Sequence, residues 1–356
     1  MGKLKIVAML IFAVALIGAL VSCQPAASPM PSLVLAPTPA STPAPAAKAQ
    51  TLTVYSGRSE SLVKPIIEQF GASTGIKVQV RYGGTSELAA TILEEGKNSP
   101  ADIFYAQDPG GLGAVAHLFS RLPESITGRV EPGFASPDGK WVGISGRARV
   151  VVYNTQTLKE SDLPDDIWDF IDSKWKGRIG WAPTNASFQA MVTAMRTMWG
   201  EEKTRQWLLG VQANNPKSFS NNTGIVAAVG TGEIDVGFPN HYYLFSFLQQ
   251  QGDAFPVRNY HPRAGGPGAL VMVSGVGILE TSKNKEAGER FLEFLVSPVA
   301  QQYFASQTFE YPVVKGVATH RLLKPLSEIK RPEVDMAALG DLKGTLSVMR
   351  TTGIIP

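Results

Sequence analysis

Between Leu52 and Tyr105 the apolar residues switch repeatedly between a period of two and a period near 3.6, and no other feature limits the fold as much. Leu52-Thr53-Val54-Tyr55 alternates as a strand and stops at Ser56-Gly57. Leu62, Ile66 and Phe70, with Val63 and Ile67 beside them, then form one helical face, which Gly75 breaks. Ile76 to Tyr82 alternates again, and Gly83-Gly84-Thr85-Ser86 leads into a second helix over Glu87 to Glu95. Ala101-Asp102-Ile103-Phe104-Tyr105 is a third, more apolar strand. Helical crossovers join strands in parallel and with right-handed sense, so the chain should be α/β with a parallel sheet.

The same pattern continues downstream. Trp141 to Gly146 and Arg147 to Asn154 make one long β-rich stretch, and Gly268 to Ile278 makes another. As the two crossings between lobes, they would divide the chain into a first lobe over 51–148, a second over 149–268 and a return over 269–356. Inside the second part, Ile179-Gly180-Trp181-Ala182 is a strand, and Phe188, Met191, Val192 and Met195 mark the helix after it. The loop Pro183 to Phe188, and Asn221-Asn222-Thr223 ahead of Ile225 to Val229, are polar and sit at helix starts. Such loops are ordinary N-caps, and their free N–H groups also suit anions. Helices over Glu286 to Leu295 and Ala300 to Phe304 read as packing elements.

The chain opens with Met1-Gly2-Lys3-Leu4-Lys5 and an apolar run from Ile6 to Val21, the layout of a secretory signal peptide over 1–22. Leu20-Val21-Ser22-Cys23 has the cleavage pattern of a bacterial lipoprotein, and Cys23 is the only cysteine in the sequence. Lipidation there would leave a mature chain without thiols, held at the outer face of the cell membrane or in the periplasm by acyl chains rather than by a spanning helix. An ordinary signal peptide or a single anchor with a chance cysteine stays open. Residues 23–50 are rich in Pro, Ala, Ser and Thr without apolar period, which suits a lipidated tether and not a core.

The formal charge is +3, and losing Lys3 and Lys5 would leave +1, a balance that calls for neither nucleic acid nor an anionic surface. His117, His241, His261 and His320 lack the spacing of a zinc site. Gly111-Leu112-Gly113-Ala114-Val115-Ala116 matches a dinucleotide fingerprint. It follows the third strand rather than the first, and no acidic strand end stands where a ribose contact needs one. Without a Walker loop, a G-x-S-x-G elbow or a reactive cysteine after Cys23, an enzyme is not expected.

Asn240-His241-Tyr242-Tyr243 is the stretch with the most chemistry. Glu233 to Phe238 reads as a strand ahead of it and Tyr243 to Leu248 as a helix behind it. Adjacent tyrosines diverge on a strand or a helix, so only an irregular corner lets both phenols converge. Phenols ionise near pH 10, and a trivalent cation between them would draw off their protons. The four residues alone do not separate metal ligation from ordinary packing. His241 should lie beside the pair or at the surface.

From about Thr51 onward the chain resembles the ferric-iron-binding proteins of bacterial ABC importers, within the extracellular solute-binding proteins. The matching stretches are Thr53 to Arg58, Gly75 to Val78, Ser99 to Tyr105, Ser145 to Tyr153, Trp175 to Gly180, Asn240 to Tyr243 and Glu310-Tyr311-Pro312, in order across the domain. The resemblance implies a type II periplasmic-binding-protein fold, two α/β lobes joined by a hinge with the ligand cleft between them. It implies Fe3+ as the transported ligand on Tyr242 and Tyr243, with carbonate or phosphate completing the shell at Asn185, Ala186, Ser187, Asn222 and Asn240. It further implies a monomer that delivers its cargo to a membrane permease and its ATPase subunit. Some relatives add a histidine where this chain has Ser59, a glutamate where it has Gln107, or a tyrosine where it has Asn185. Gln107 and Asp108 are the nearest remaining first-lobe donors, and Arg58 resembles an arginine that some relatives place near the anion. A cleft for an organic anion or phosphate-like ligand, with the tyrosines as walls, fits the same loops.

Overall fold

The computed structural model describes residues 50–131 and 133–356. The expected signal peptide, Cys23 and all of the tether but Gln50 lie outside the described residues. The first sheet begins with β1 (Thr51–Ser56), α1 (Glu60–Thr74), β2 (Lys77–Tyr82), α2 (Thr85–Glu95) and β3 (Ile103–Ala106), and β1 pairs with β2 and β3 in parallel. In α1, Val63, Ile66, Ile67 and Phe70 are buried, and the left-handed Gly75 (φ 72°) closes the helix by donating its N–H to Gly71 O. Pro65 sits inside this helix at a cost of about 3 kcal/mol. Four buried apolar side chains at roughly 1.5–3 kcal/mol each outweigh it, so the helix runs through.

The dinucleotide-like glycines fall within α3 (Pro109–Val115), a helix packed beside the sheet. A short α4 (Glu124–Thr127) and β4 (Val142–Ala148) follow. β5 (Val151–Asn154) then starts the second sheet, with β6 (Ile179–Trp181), α5 (Ala186–Trp199), α6 (Glu201–Ala213), β7 (Lys217–Ser218), α7 (Asn222–Gly230), β8 (Val236–Gly237), α8 (Tyr243–Gln251) and β9 (Val257–Tyr260). β10 (Val271–Ile278) returns the chain to the first sheet, followed by α9 (Lys285–Leu295), α10 (Pro298–Gln307) and α11 (Leu342–Thr351).

The strand orders are β2-β1-β3-β10-β4 and β7-β6-β8-β5-β9. Neither sheet is purely parallel: β10 runs antiparallel to β3 and β4, and β5 antiparallel to β8 and β9. A strand that re-enters a sheet after an excursion through another lobe can enter from either end, which local periodicity does not encode. The segment Glu233 to Phe238 forms a strand only at Val236–Gly237.

Each sheet carries its own core. Val54, Phe104, Ile144, Val276 and Phe291 belong to the first, and Val151, Ile179, Phe188, Trp207 and Val236 to the second. The chain passes between sheets at Ala148 to Val151 and again at Tyr260 to Val271. The C-terminal residues use both cores: Met336 and Leu339 pack in the first, Val348 and Met349 in the second. Among the described residues no helix is long and apolar enough to cross a membrane.

Candidate functional site

The tyrosine corner lies where β8 gives way to α8. Asn240 is bridged to Arg149 at the crossing out of the first lobe, which stops the strand and turns the chain before the helix begins. Tyr242 takes the N-cap position with a helical backbone (φ −72°, ψ −20°), so the two rings leave the corner together. They stack with centroids 4.3 Å apart and planes 29° off parallel. Tyr242 is 3 % exposed, and both tyrosines face a cavity of about 250 Å³ that also touches Ser59, Thr223, Gln307 and Thr308. Among the described residues no carboxylate lines it. Burial first, and then the neighbouring Tyr242 phenol, push the Tyr243 hydroxyl well above its ordinary pKa, while Arg58 and Arg147 pull the other way.

Arg58 reaches the pair from the first lobe. Its Nη1 donates to the Tyr242 hydroxyl at 3.2 Å, and its Nη2 donates to both oxygens of Glu310 at 2.8 and 2.7 Å. Burial opposes its charge most, but Glu310 together with the phenols of Tyr242, Tyr105 and Tyr243 holds the guanidinium above its usual range. Arg58 lines a cleft cavity of about 460 Å³ with Ser59, Gln107, Asn185 and Ala186, yet its bonds run to Glu310 and Tyr242. Its Nε is buried without a partner. Gly57 makes the approach possible: a Cβ there would stand 2.0 Å from Thr85 Oγ1, the atom that accepts the Gln107 N–H at 3.1 Å.

The two polar loops meet on the second-lobe side. Asn185 caps α5 by accepting from the Ser187 N–H at 3.1 Å, and it also accepts from Ser187 Oγ at 2.6 Å. Asn222 Nδ2 reaches Ser187 Oγ at 3.4 Å, while its Oδ1 is buried without a partner. Asn240 Oδ1 accepts from Arg149 at 3.1 Å, and its Nδ2 is also buried without a partner. Unpaired buried polar atoms are costly, although neither Asn222 nor Asn240 lines the two cavities. Two further bonds cross the cleft, Gln107 Nε2 to Ser187 Oγ at 3.1 Å and Ser86 Oγ to Gln189 Oε1 at 3.0 Å.

Some expected residues are elsewhere. Asp108 caps α3, its Oδ1 accepting from the Gly111 N–H at 3.1 Å, and it does not line the cleft cavity. A short carboxylate ahead of a helix is recruited by the free N–H groups there before it can serve as a ligand. Burial raises its carboxyl pKa. Ser59 is exposed and borders both cavities. His241 is 1 % exposed, accepting the Ala148 N–H on Nδ1 at 3.0 Å, with Nε2 2.8 Å from Phe309 O.

Three buried charges escaped notice as site residues: Glu310, Arg147 and Arg149. Arg149 donates to Asn240 Oδ1 and Phe238 O, and burial first, then Arg147, lower its guanidinium pKa to about 9. Two charges separated by one residue at the apolar end of β4 and the crossing after it, Arg147 and Arg149, were the available signal. Among the described residues no group of three or more His, Cys, Asp or Glu could hold a metal, and the one carboxylate lining the larger cleft cavity is that of Glu87.

A family profile described as bacterial extracellular solute-binding protein matches residues 65–331. The chain is 34 % identical over 310 residues to the Fe(3+)-binding periplasmic protein of Serratia marcescens, covering 86 % of this chain and 91 % of that one. It is 34 % identical to the major ferric iron-binding protein of Neisseria meningitidis serogroup B, covering 85 % and 93 %. Iron-bound HitA from Pseudomonas aeruginosa superposes with a TM-score of 0.82 at 36 % identity, over 85 % of this chain and 99 % of that one. A Trichodesmium protein in complex with iron and citrate superposes with a TM-score of 0.73 at 30 % identity, over 85 % and 99 %.

Proposed function

The chain belongs to the bacterial extracellular solute-binding proteins, and from that premise we propose that it captures ferric iron outside the cytoplasm and hands it to an ABC permease. The fold is that of type II periplasmic binding proteins, and this is a family of binding proteins rather than of enzymes. The observation that carries the ferric reading is the stacked, buried pair Tyr242 and Tyr243 on a cavity without a carboxylate, approached by the guanidinium of Arg58. The ferric- and iron-binding relatives described above support the same reading.

In this reading the ion binds first to the two phenols on the second lobe. Its charge displaces their protons, which water alone would not do near neutral pH. An exogenous dianion, carbonate or phosphate, fills the positions that protein groups leave open. It would rest on the α5 start at Asn185, Ala186 and Ser187 and against Asn222 and Asn240, whose buried unpartnered atoms suit an anion with bound water or protons. The first lobe then closes, and Gln107 and Ser86 bond across the cleft. Closure can be driven only by preference of the loaded site for the shut form. Cys23 would carry the lipid that keeps the protein at the membrane, and the protein would act as a monomer.

The test is a visible absorbance titration of the mature domain with ferric citrate in carbonate and then in phosphate buffer. A phenolate-to-iron charge-transfer band that saturates at one ion per chain is expected. Absence of a band in both buffers, together with calorimetric binding of citrate or phosphate alone, overturns the ferric reading in favour of an organic-anion or phosphate-like ligand.

A further inference from the structure

The carboxylate of Glu310 is wholly buried and yet has no freedom left. Both of its oxygens accept from Arg58 Nη2, Oε1 also accepts from Ser145 Oγ at 3.0 Å, and Oε2 accepts from Thr308 Oγ1 at 2.9 Å. Ser145 belongs to β4, the strand that leads out of the first lobe, and Thr308 follows α10. The same short segment is held a second time. Phe309 adopts a left-handed backbone (φ 55°), uncommon for a residue with a large side chain. That turn aims its carbonyl at His241 Nε2, and its ring stacks on Phe245 of α8 at 4.8 Å and 12°. The Ala148 N–H occupies His241 Nδ1, so the imidazole proton stands on Nε2 and is donated to Phe309 O. Strained backbone persists where its surroundings over-determine it, and here those surroundings are His241 and Phe245, which flank Tyr242 and Tyr243 within two residues in the chain.

We propose that Glu310 is a positioning residue of the tyrosine corner: it fixes Arg58 so that this guanidinium donates to the Tyr242 oxygen, and thereby ties the phenol pair on lobe two to lobe one. The inference rests on the reading of Tyr242 and Tyr243 as ligands of the ferric ion. The charge balance explains why a pair is used. A lone guanidinium beside a trivalent ion would repel it, whereas an arginine neutralised by Glu310 still presents a strongly polarised N–H. A first lobe with Ser59 and Gln107 at its edge can in this way address the metal site through a hydrogen bond to its ligand.

The test compares the ferric charge-transfer band and the ferric affinity, by competition with citrate, of the parent chain, Glu310→Gln, and the double variant Arg58→Gln with Glu310→Gln. A hydrogen bond to a phenolate lowers the energy of its donor electrons, so its loss should move the band to longer wavelength. Affinity should fall about tenfold or more, the usual effect of removing a partner beside a metal ligand. Glu310→Gln leaves Arg58 buried without its counter-charge and costs stability on that account alone; the double variant removes both charges and should regain much of the parent's thermal midpoint. It should keep the shifted band and the weaker affinity. A parental band and affinity in the double variant overturn the inference, since the role of Glu310 would then be fold stability. A parent that shows no band brings down the ferric reading and this inference together, while a parental band that neither variant moves brings down this inference alone.

Discussion

The two walls of the cleft are made of different chemistry. The second lobe offers groups still open to a guest: the phenols of Tyr242 and Tyr243, and the amides of Asn222 and Asn240 with buried atoms lacking partners. The first lobe offers groups largely engaged within the protein, with Arg58 Nε and Asp108 Oδ2 buried without partners. Arg58 is bonded to Glu310 and Asp108 to the start of α3, and Arg58, Gln107 and Ser86 reach across to Tyr242, Ser187 and Gln189. Under the proposed function, the contrast assigns recognition to the second lobe and retention to the first. Substitutions on lobe two should decide whether cargo binds, and those on lobe one how long it stays.

The largest effect should come from Tyr242→Phe or Tyr243→Phe. Each should reduce ferric affinity by more than about a hundredfold, beyond the roughly 10- to 100-fold typical of groups that only support a ligand. Competition with citrate measures it, and an equal loss in Gln107→Ala would break the contrast between walls.

Acidity should act on the same wall. Burial and the adjoining phenol keep Tyr243 protonated above the usual tyrosine range, so ferric binding has to release its proton. Affinity should fall about tenfold to a hundredfold for each unit of pH lost between about 8 and about 6, according to whether one or two protons are released. A titration across buffers that finds no dependence would mean that no phenol ionises.

Gln107→Ala is the sharper test of the first wall. Removing one neutral hydrogen bond should speed ferric release by about two- to tenfold, read by stopped-flow transfer to a chelator, and leave the absorbance band where it was.

The smallest effect on cargo, and a visible one on the fold, concerns the histidines behind the corner. Burial depresses His241 to about 3 and His261 to about 4. Both lie below the unfolded value near 6.5, so their contribution to stability is complete above that pH. It is lost as the pH falls from about 6.5 toward 4, by roughly 1.4 kcal/mol per pH unit for each group. Thermal midpoints measured across that window should fall less steeply in His241→Asn.

Much of this molecule can be read from local pattern. The apolar face of α1, the left-handed Gly75 and the N-caps at Asn185 and Asn221 are set within a few residues, by periodicity and by the demand of free N–H groups. The antiparallel entry of β10 is not, because strand pairing is decided by partners far away in the chain. The tyrosine corner was legible as an irregular turn between strand and helix. Glu310 was legible only as part of a family pattern, since its bond to Arg58 spans 252 positions and no spacing rule connects them. Asp108 misleads for the opposite reason: its capping partner, Gly111, is only three residues away.

The C-terminal residues add a mechanical consequence. Two strand crossings alone would let the lobes swing as a door does on its hinges. Met336 and Leu339 are rooted in one core and Val348 and Met349 in the other, while the Thr193 and Thr345 hydroxyls meet at 2.7 Å between α5 and α11. A swing at the two crossings must therefore also bend the chain between Leu339 and Val348, which makes the C-terminal residues a third tie between the lobes, as a strap is to a door.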